Sequence, residues 1–252
     1  MIFSYLFSYA KQTATLVSVK KNSMLFLRVL DIEVILHRQA IKYKCKSHQD
    51  RYADGMYTIA MIKAIVFDCF GVLVGSSFWD VYRASGGDPV KDAAFIDEIL
   101  DRANLGFITS SELRKLTAEH LGISYEALTA TMRRIERPNI DLFAYITSEL
   151  KPRYKIAMLS NAVPGAPQSH LTAEQLALLD AIVVSGEIGH AKPDREAFQA
   201  VVDRLDVTFS EIVFIDDLAR YVEPARAMGI TSIRYTDLES MEVQLAEILH
   251  AQ

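Results

Sequence analysis

The chain has 252 residues, half of them hydrophobic, and carries a formal net charge of −5. This length allows a substantial buried core, while the slightly acidic balance excludes a uniformly basic surface for nucleic acid, and no apolar run approaches the roughly 18 residues of a membrane span. With only two cysteines, Cys45 and Cys69, neither a disulfide framework nor a four-ligand zinc site is available, so we expect a protein of the reducing cytoplasm.

Residues 1–60 differ in charge from the rest of the chain. They contain nine Lys and Arg against four Asp and Glu, whereas the remainder contains 18 against 28. Their apolar stretch at 24–36 is interrupted by Arg28, Asp31 and Glu33, so we predict an extension and not a domain. A signal peptide is disfavoured because no basic segment precedes the apolar residues 1–10. Met61 stands directly before a strand pattern, and we hypothesise that 1–60 reflects an over-extended gene start.

From residue 61 onward, short apolar runs alternate with amphipathic segments. The apolar runs predict strands at 63–67, 155–159, 181–184, 211–215 and 231–235. Helices are predicted at 172–179, 193–205, 218–228 and 240–250, with Pro193 in a first turn and Gly229 at a helix end. This alternation predicts an α/β fold, in which helices cover both faces of a parallel sheet.

The stretch 77–150 interrupts this alternation, because it shows helical periodicity and no strand-like run. Thr109 and Glu112 have the spacing of a capping box, Ser124 is a candidate helix cap, and Gly122 is a candidate helix end. We therefore predict an inserted all-helical segment at 77–150. The α/β core is then formed by 61–76 and 151–252.

Reactive or charged side chains follow four of the five predicted strands. In parallel sheets, ligands bind beyond the carboxyl ends of the strands, so we expect these side chains to converge on one crevice. They are Asp68, Ser160, Asn161, Lys192, Asp216 and Asp217.

Each of these side chains has a structural and a functional interpretation. Asp68 either caps a turn or acts as a carboxylate nucleophile. Ser160 and Lys192 are either a turn residue and an exposed residue before a helix, or groups that stabilise a transferring anion. Asp216 and Asp217 are either helix caps or ligands of a hard cation such as Mg²⁺.

Four motifs in this order resemble the haloacid dehalogenase superfamily from Met61 to the end of the chain. They are IVFDCFGVL at 65–73, MLSN at 158–161, SGE at 185–187 with AKPD at 191–194, and FIDD at 214–217. The resemblance implies a Rossmann-like core with a helical cap inserted after the first motif. It also implies Asp68 as nucleophile, substrate binding by Ser160, Asn161 and Lys192, and a Mg²⁺ site. The implied metal ligands are Asp68, the backbone carbonyl of Phe70, Asp216 and Asp217.

Phe70 departs from the family pattern. Phosphatases of this family usually have a second aspartate two residues after the nucleophile, and loss of such a general acid/base lowers the rate by typically about 10² to 10⁴. We predict a Mg²⁺-dependent phosphatase-type hydrolase of a small phosphorylated or anionic metabolite, with weakened acid/base catalysis. An alternative is a 2-haloacid dehalogenase, because family dehalogenases carry an aromatic residue at this position. Another alternative is a non-catalytic phosphate-binding module, which the departures Leu218 and Tyr221 also favour.

Several other side chains remain without an assigned role at this point. Trp79 and Tyr82 follow the first motif, where they are candidates either for an aromatic wall that selects substrates or for packing between cap and core. His120, His170, His190 and His250 have no metal-ligand spacing with one another, so solvated or helix-end positions are expected for them.

Overall fold

A computed structural model describes residues 61–250, and it contains the five predicted strands. Their bounds agree with the sequence prediction to within one residue. The predicted extension at 1–60 lies outside the described residues. The strands are β1 (Ala64–Phe67), β2 (Lys155–Ser160), β3 (Ala181–Val184), β4 (Ile212–Asp216) and β5 (Thr231–Arg234).

The strands form one parallel sheet in the order β3-β2-β1-β4-β5. The first strand of the chain is therefore the central one, and it pairs with β2 on one side and with β4 on the other. Every residue of β1 and β4 is buried, which explains why both are continuous apolar runs in the sequence. The α/β class predicted from the sequence is confirmed.

Helices cover both faces of the sheet. Alternate residues of each strand point to opposite faces, so each strand contributes side chains to both helical layers. Ile65 and Phe67 pack with Met241 and Leu245 on one face, while Val66 and its neighbours pack with the helix Arg195–Leu205 on the other. None of the helices within 61–250 is long and apolar enough to cross a membrane. The cytoplasmic location stays a prediction. The helices are α1 (Phe78–Ala84), α2 (Ala93–Asn104), α3 (Ser110–Leu121), α4 (Tyr125–Ile135), α5 (Ile140–Tyr145), α6 (Ala173–Ala177), α7 (Ser185–Ile188), α8 (Arg195–Leu205), α9 (Ala219–Ala227) and α10 (Leu238–His250).

The stretch 77–150 is helical, as predicted. Thr109 and Glu112 form a capping box at the start of α3, and Gly122 ends that helix with a φ of 65°. Ser124 caps α4 by accepting a hydrogen bond from the backbone N–H of Ala127 at 3.1 Å. These bonds satisfy backbone N–H groups that have no partner inside the helix.

The last part of this stretch packs differently from the rest. Helix α5 continues into a π-helical turn, Ile146–Leu150. Leu142, Phe143 and Ile146 belong to the same apolar cluster as the residues of β1, so this segment covers the sheet. The predicted domain division at 77–150 stays a prediction, and the packing favours an earlier end of the insertion, before Ile140.

The two ends of the insertion are hydrogen-bonded to each other. The backbone N–H of Gly75 donates to the carbonyl of Arg137 at 2.9 Å, and that of Asn139 donates to the carbonyl of Leu73 at 2.8 Å. In each hydrogen bond one partner, Gly75 or Leu73, lies a few residues after Asp68 in the sequence. The helical segment is thus anchored next to the carboxyl end of the central strand.

Helix α8 begins two residues later than predicted. The sequence analysis placed Pro193 in its first turn, but the helix begins at Arg195 with Asp194 as the N-cap. The backbone of Lys192, directly before Pro193, is held at the end of β2 by two hydrogen bonds with the Asn161 side chain. The prediction that Pro193 lies in the first turn of this helix is wrong, because the contact between Asn161 and Lys192 outweighs the local preference of proline for a first turn.

Candidate active site

Asp68 follows the central strand and is 6% exposed. Its backbone N–H donates to the carbonyl of Ile215 in β4 at 2.8 Å. Its Oδ1 accepts hydrogen bonds from the backbone N–H of Cys69 and lies next to Nζ of Lys192, both at 2.7 Å. Within residues 61–250, no hydrogen-bond donor contacts Oδ2. Oδ1 is therefore held by two donors, whereas Oδ2 is not.

Lys192 lies between two carboxylates. Its Nζ is 2.7 Å from Oδ1 of Asp68 and 2.7 Å from Oδ2 of Asp216, and its side chain is 1% exposed. Nζ also lies 4.9 Å from the centroid of the Tyr221 ring. Burial lowers the pKa of Lys192, but the charges of Asp216 and Asp68 outweigh burial, and the pKa is raised overall. The two carboxylates therefore favour the charged form of Lys192 inside the site.

Asn161 holds the backbone of Lys192 in place. Its Nδ2 donates to the carbonyl of Lys192 at 2.9 Å, and its Oδ1 accepts from the backbone N–H of Lys192 at 2.8 Å. The same Nδ2 lies 3.3 Å from the hydroxyl of Tyr221. The sequence analysis assigned Asn161 to substrate binding, which stays a prediction. The structure adds a second task, since this amide connects the end of β2 to Lys192.

Three carboxylates form a cluster beside Lys192. One oxygen from each of Asp68, Asp216 and Asp217 lies within 4.8 Å of the other two. Burial raises the pKa of Asp68 to about 7 against the opposing effect of Lys192, and burial together with Asp216 raises the pKa of Asp217 to about 6. Within the described residues, the buried Oδ1 of Asp217 has no hydrogen-bond partner. Clustered carboxylates with an unpartnered buried oxygen fit a hard divalent cation.

Ser160 ends β2, the strand beside β1, and is 1% exposed. Its Oγ is buried, and it has no hydrogen-bond partner among residues 61–250. A buried hydroxyl without a partner is unfavourable, because it has lost its contacts to water. Ser160 lines the same cavity as Asp68 and Lys192, where its hydroxyl is free to donate to an anionic oxygen.

This cavity lies between the carboxyl end of the sheet and the helical insertion. The core contributes Asp68, Ser160, Asn161 and Lys192, which the sequence analysis had predicted to converge. Helices α1 to α4 contribute the opposite wall. The residues of this opposite wall are Phe78, Trp79, Leu100, Ala103, Asn104, Ser110, Leu113, Arg114 and Met132.

A partly buried pair of Glu136 and His170 lines the cavity next to Phe70. Nε2 of His170 lies 2.9 Å from Oε2 of Glu136, and Nδ1 of His170 lies 2.8 Å from the carbonyl oxygen of Ala166. The His170 ring meets Phe70 edge-on, with 5.2 Å between the ring centroids. The hydrogen bond to Glu136 raises the pKa of His170, against the effect of burial. The sequence analysis expected a solvated or helix-end position for His170, and His170 does end a short 3₁₀ helix, Pro167–His170. The pair with Glu136 was not predicted.

Comparison with known sequences assigns the chain to a family. A parallel sheet with charged groups beyond the carboxyl ends of its strands is an architecture common to many enzymes. Residues 62–229 match the sequence model of haloacid dehalogenase-like hydrolases, a stretch that includes all four motifs. The chain belongs to this family and is a hydrolase.

Individual relatives agree with this assignment. The chain is 26% identical over 195 residues to a sesquiterpene phosphatase of Aspergillus oryzae, covering 74% of this chain and 96% of the relative. A predicted HAD-like family hydrolase from Porphyromonas gingivalis superposes with a TM-score of 0.59 at 25% identity, covering 77% of this chain and all of the other. A HAD family enzyme of Bacteroides thetaiotaomicron, in complex with magnesium and inorganic phosphate, superposes with a TM-score of 0.55 at 22% identity, covering 71% of this chain and 98% of the other.

Proposed function

We propose that the protein is a Mg²⁺-dependent phosphatase that acts on a small phosphorylated substrate through a covalent intermediate on Asp68. One observation carries this proposal. The buried Asp68 carboxylate, with one unbonded oxygen, lies beside the buried Lys192 amine, a cluster of acids and the unpartnered Ser160 hydroxyl, and Asp68, Lys192 and Ser160 line one cavity. Each group matches a requirement of phosphoryl transfer.

The reaction proceeds in two displacements. Oδ2 of Asp68 attacks phosphorus, the bond between phosphorus and the ester oxygen breaks, and the leaving group takes the electron pair of that bond. A water molecule then attacks phosphorus of the aspartyl phosphate, releases inorganic phosphate and restores the carboxylate. Lys192 and Ser160 stabilise the phosphoryl oxygens during both displacements, because a cation and a hydroxyl donor face the charge that they carry.

The metal site follows from the acid cluster. Asp68, Asp216 and Asp217 would hold Mg²⁺, with the backbone carbonyl of Phe70 as the further predicted ligand. The bound cation supplies positive charge that offsets the repulsion between the attacking carboxylate and the anionic substrate. The magnesium and phosphate bound by the Bacteroides enzyme and the phosphatase activity named for the Aspergillus relative support this assignment.

The test is phosphate release by the full chain from an activated aryl phosphate, with and without Mg²⁺. We expect turnover that depends on the metal in the wild type and is abolished in Asp68→Asn. The matched control is Asp180→Asn, which changes a carboxylate away from the cavity lining. Metal-independent turnover, or turnover that survives in Asp68→Asn, would refute the proposal.

A second candidate function is hydrolytic dehalogenation of a 2-haloacid. Phe70 is the observation that favours it, since this position carries an aromatic residue in family dehalogenases and no acid is needed when a halide leaves. In that reaction Oδ2 of Asp68 attacks carbon and halide departs without a metal. Halide release from 2-haloacids by the metal-free protein would establish this activity. Ligand binding without release of either product would indicate a non-catalytic phosphate-binding module.

A further inference from the structure

We infer that the phosphatase acts on phosphomonoesters whose leaving group is an apolar aryl oxide. This inference rests on the proposed function and adds the substrate class. Two separate properties of the cavity lead to it. The first is the composition of the wall that faces the leaving group, and the second is the absence of an acid at residue 70.

The wall contributed by the helical insertion is largely apolar. Phe78 and Trp79 come from α1, Leu100 from α2, Leu113 from α3 and Met132 from α4. All five side chains line the cavity and none is fully exposed. Aromatic and thioether side chains favour contact with a flat apolar ring. Tyr82, the other aromatic residue considered in the sequence analysis, is instead buried behind this wall, stacked on Phe78.

Four polar side chains of the lining already have partners within the protein. The hydroxyl of Ser77 donates to Asp80 at 2.9 Å, and that of Ser169 donates to the carbonyl of Ala166 at 2.8 Å. Glu136 and His170 are bonded to each other. A polyhydroxylated leaving group, such as a sugar, would exchange hydrogen bonds with water for contacts with a wall in which six of nine residues are apolar, which is unfavourable.

Phe70 restricts the leaving group in a second way. Without an acid at this position, the leaving oxygen departs as an anion unless a proton comes from water. An alkoxide is a poor leaving group, whereas an aryl oxide delocalises its charge into the ring. Phe70 also adds an apolar surface beside the nucleophile. An aryl phosphate therefore satisfies both the chemistry at residue 70 and the composition of the wall.

The test compares four esters with the full chain and Mg²⁺: phenyl phosphate, 4-butylphenyl phosphate, 4-butylcyclohexyl phosphate and glucose 6-phosphate. We expect kcat for the butylphenyl ester to exceed that for its saturated analogue at least about 100-fold, because only the aryl oxide leaves unprotonated. We expect KM to be about ten-fold lower for the butylphenyl ester than for phenyl phosphate. Equal or faster turnover of the saturated or the sugar ester would overturn the inference while leaving the proposed phosphatase intact.

A variant locates the preference in the wall. Trp79→Ala is expected to raise KM for the butylphenyl ester about ten-fold and to change KM for phenyl phosphate much less. The control is Phe107→Ala, an aromatic side chain of the same insertion that is 74% exposed and outside the cavity lining. If both variants behave alike, the wall does not select the substrate and the inference is wrong.

Binding separates this inference from the proposed function. Trp79 is the only tryptophan of the chain, so its fluorescence reports on the cavity. If no ester is hydrolysed, the proposed phosphatase fails, and titration with 4-butylphenylphosphonate and a sugar phosphonate decides on the ligand class. Tighter binding of the aryl phosphonate supports the apolar aryl class, and equal or weaker binding overturns it.

Discussion

Gly71 and Asp217 approach each other so closely that no side chain fits between them. A Cβ atom on Gly71 would lie 2.7 Å from Cγ of Asp217, closer than real contacts allow, and Gly71 has a φ of +95°. The loop after β1 therefore needs a glycine for two reasons: the positive φ of residue 71, and the close approach of the Asp217 side chain. The backbone requirement and the close approach can be separated by experiment.

We predict that Gly71→Ala displaces Asp217 and removes the response to Mg²⁺. The control is Gly165→Ala, at a φ of +74° with open space around the added Cβ. Both variants should lose about 1 to 2 kcal/mol of unfolding free energy from the left-handed backbone. Only the wild type and Gly165→Ala should be stabilised by added Mg²⁺ in urea unfolding. Equal stabilisation of Gly71→Ala would contradict the assignment of Asp217 to the metal site.

Lys192→Met should destabilise the protein strongly. The substitution leaves Asp68 and Asp216 buried without their shared cation, and loss of one partner from a buried ion pair costs about 3 to 5 kcal/mol. Lys151→Met is the matched control, because Lys151 pairs with Asp180 at the same 2.7 Å but both side chains are partly exposed. An exposed pair contributes at most about 1 kcal/mol. Urea unfolding of both variants measures the two losses in unfolding free energy. Equal losses would contradict the role of burial in the Lys192 pairs.

Phe70→Asp should raise phosphatase activity on esters with poor leaving groups. The new carboxyl would protonate the leaving oxygen and later accept a proton from water, an effect of about 10² to 10⁴ in rate. Phe70→Asn is the control, because it has a similar shape and cannot transfer the proton. We expect a gain in kcat on an alkyl phosphate for the aspartate variant alone. No gain in a folded aspartate variant would mean that Phe70 is not what limits the reaction.

The Glu136–His170 pair should make stability depend on pH. Since the folded-state pKa of His170 is raised above its ordinary value of 6.5, the pair stabilises the protein fully below that value. The stabilisation is lost as pH rises through the folded-state pKa. The difference in unfolding free energy between wild type and His170→Asn should therefore shrink as pH rises from below 6.5 through the raised folded-state pKa, and Glu136→Gln should abolish the trend. A difference that is constant over this range would exclude the ion pair as its source.

The sequence was sufficient to predict the sheet and the residues at its carboxyl edge. Strands buried on both faces are continuous apolar runs, so their ends are visible in the sequence, and Asp68, Ser160 and Asp216 stand at those ends. The spacing of a capping box likewise predicted the start of α3. These features depend on residues that are neighbours in the chain, and local patterns report them directly.

Features that depend on distant residues were not predictable in this way. Glu136 and His170 have no pattern that links them, because their contact exists only after the insertion folds onto the core. Trp79 and Tyr82 have similar positions in the sequence, yet one lines the cavity and the other is buried. Helical periodicity in 77–150 also did not indicate that Leu142 faces the sheet. Periodicity identifies an apolar face but not the surface that covers it.

The central position of β1 has a consequence for the order of synthesis. This strand leaves the ribosome first, while its two neighbours, β2 and β4, begin only at Lys155 and Ile212. Until β2 and β4 emerge, the backbone groups on both edges of this apolar strand are unpaired. A nascent chain with unpaired strand edges is prone to aggregation. The contacts of the intervening helices are local and form sooner. A chain terminated before β4 would thus contain Asp68 and the helical insertion, but it would lack Asp216 and Asp217, two of the proposed metal ligands.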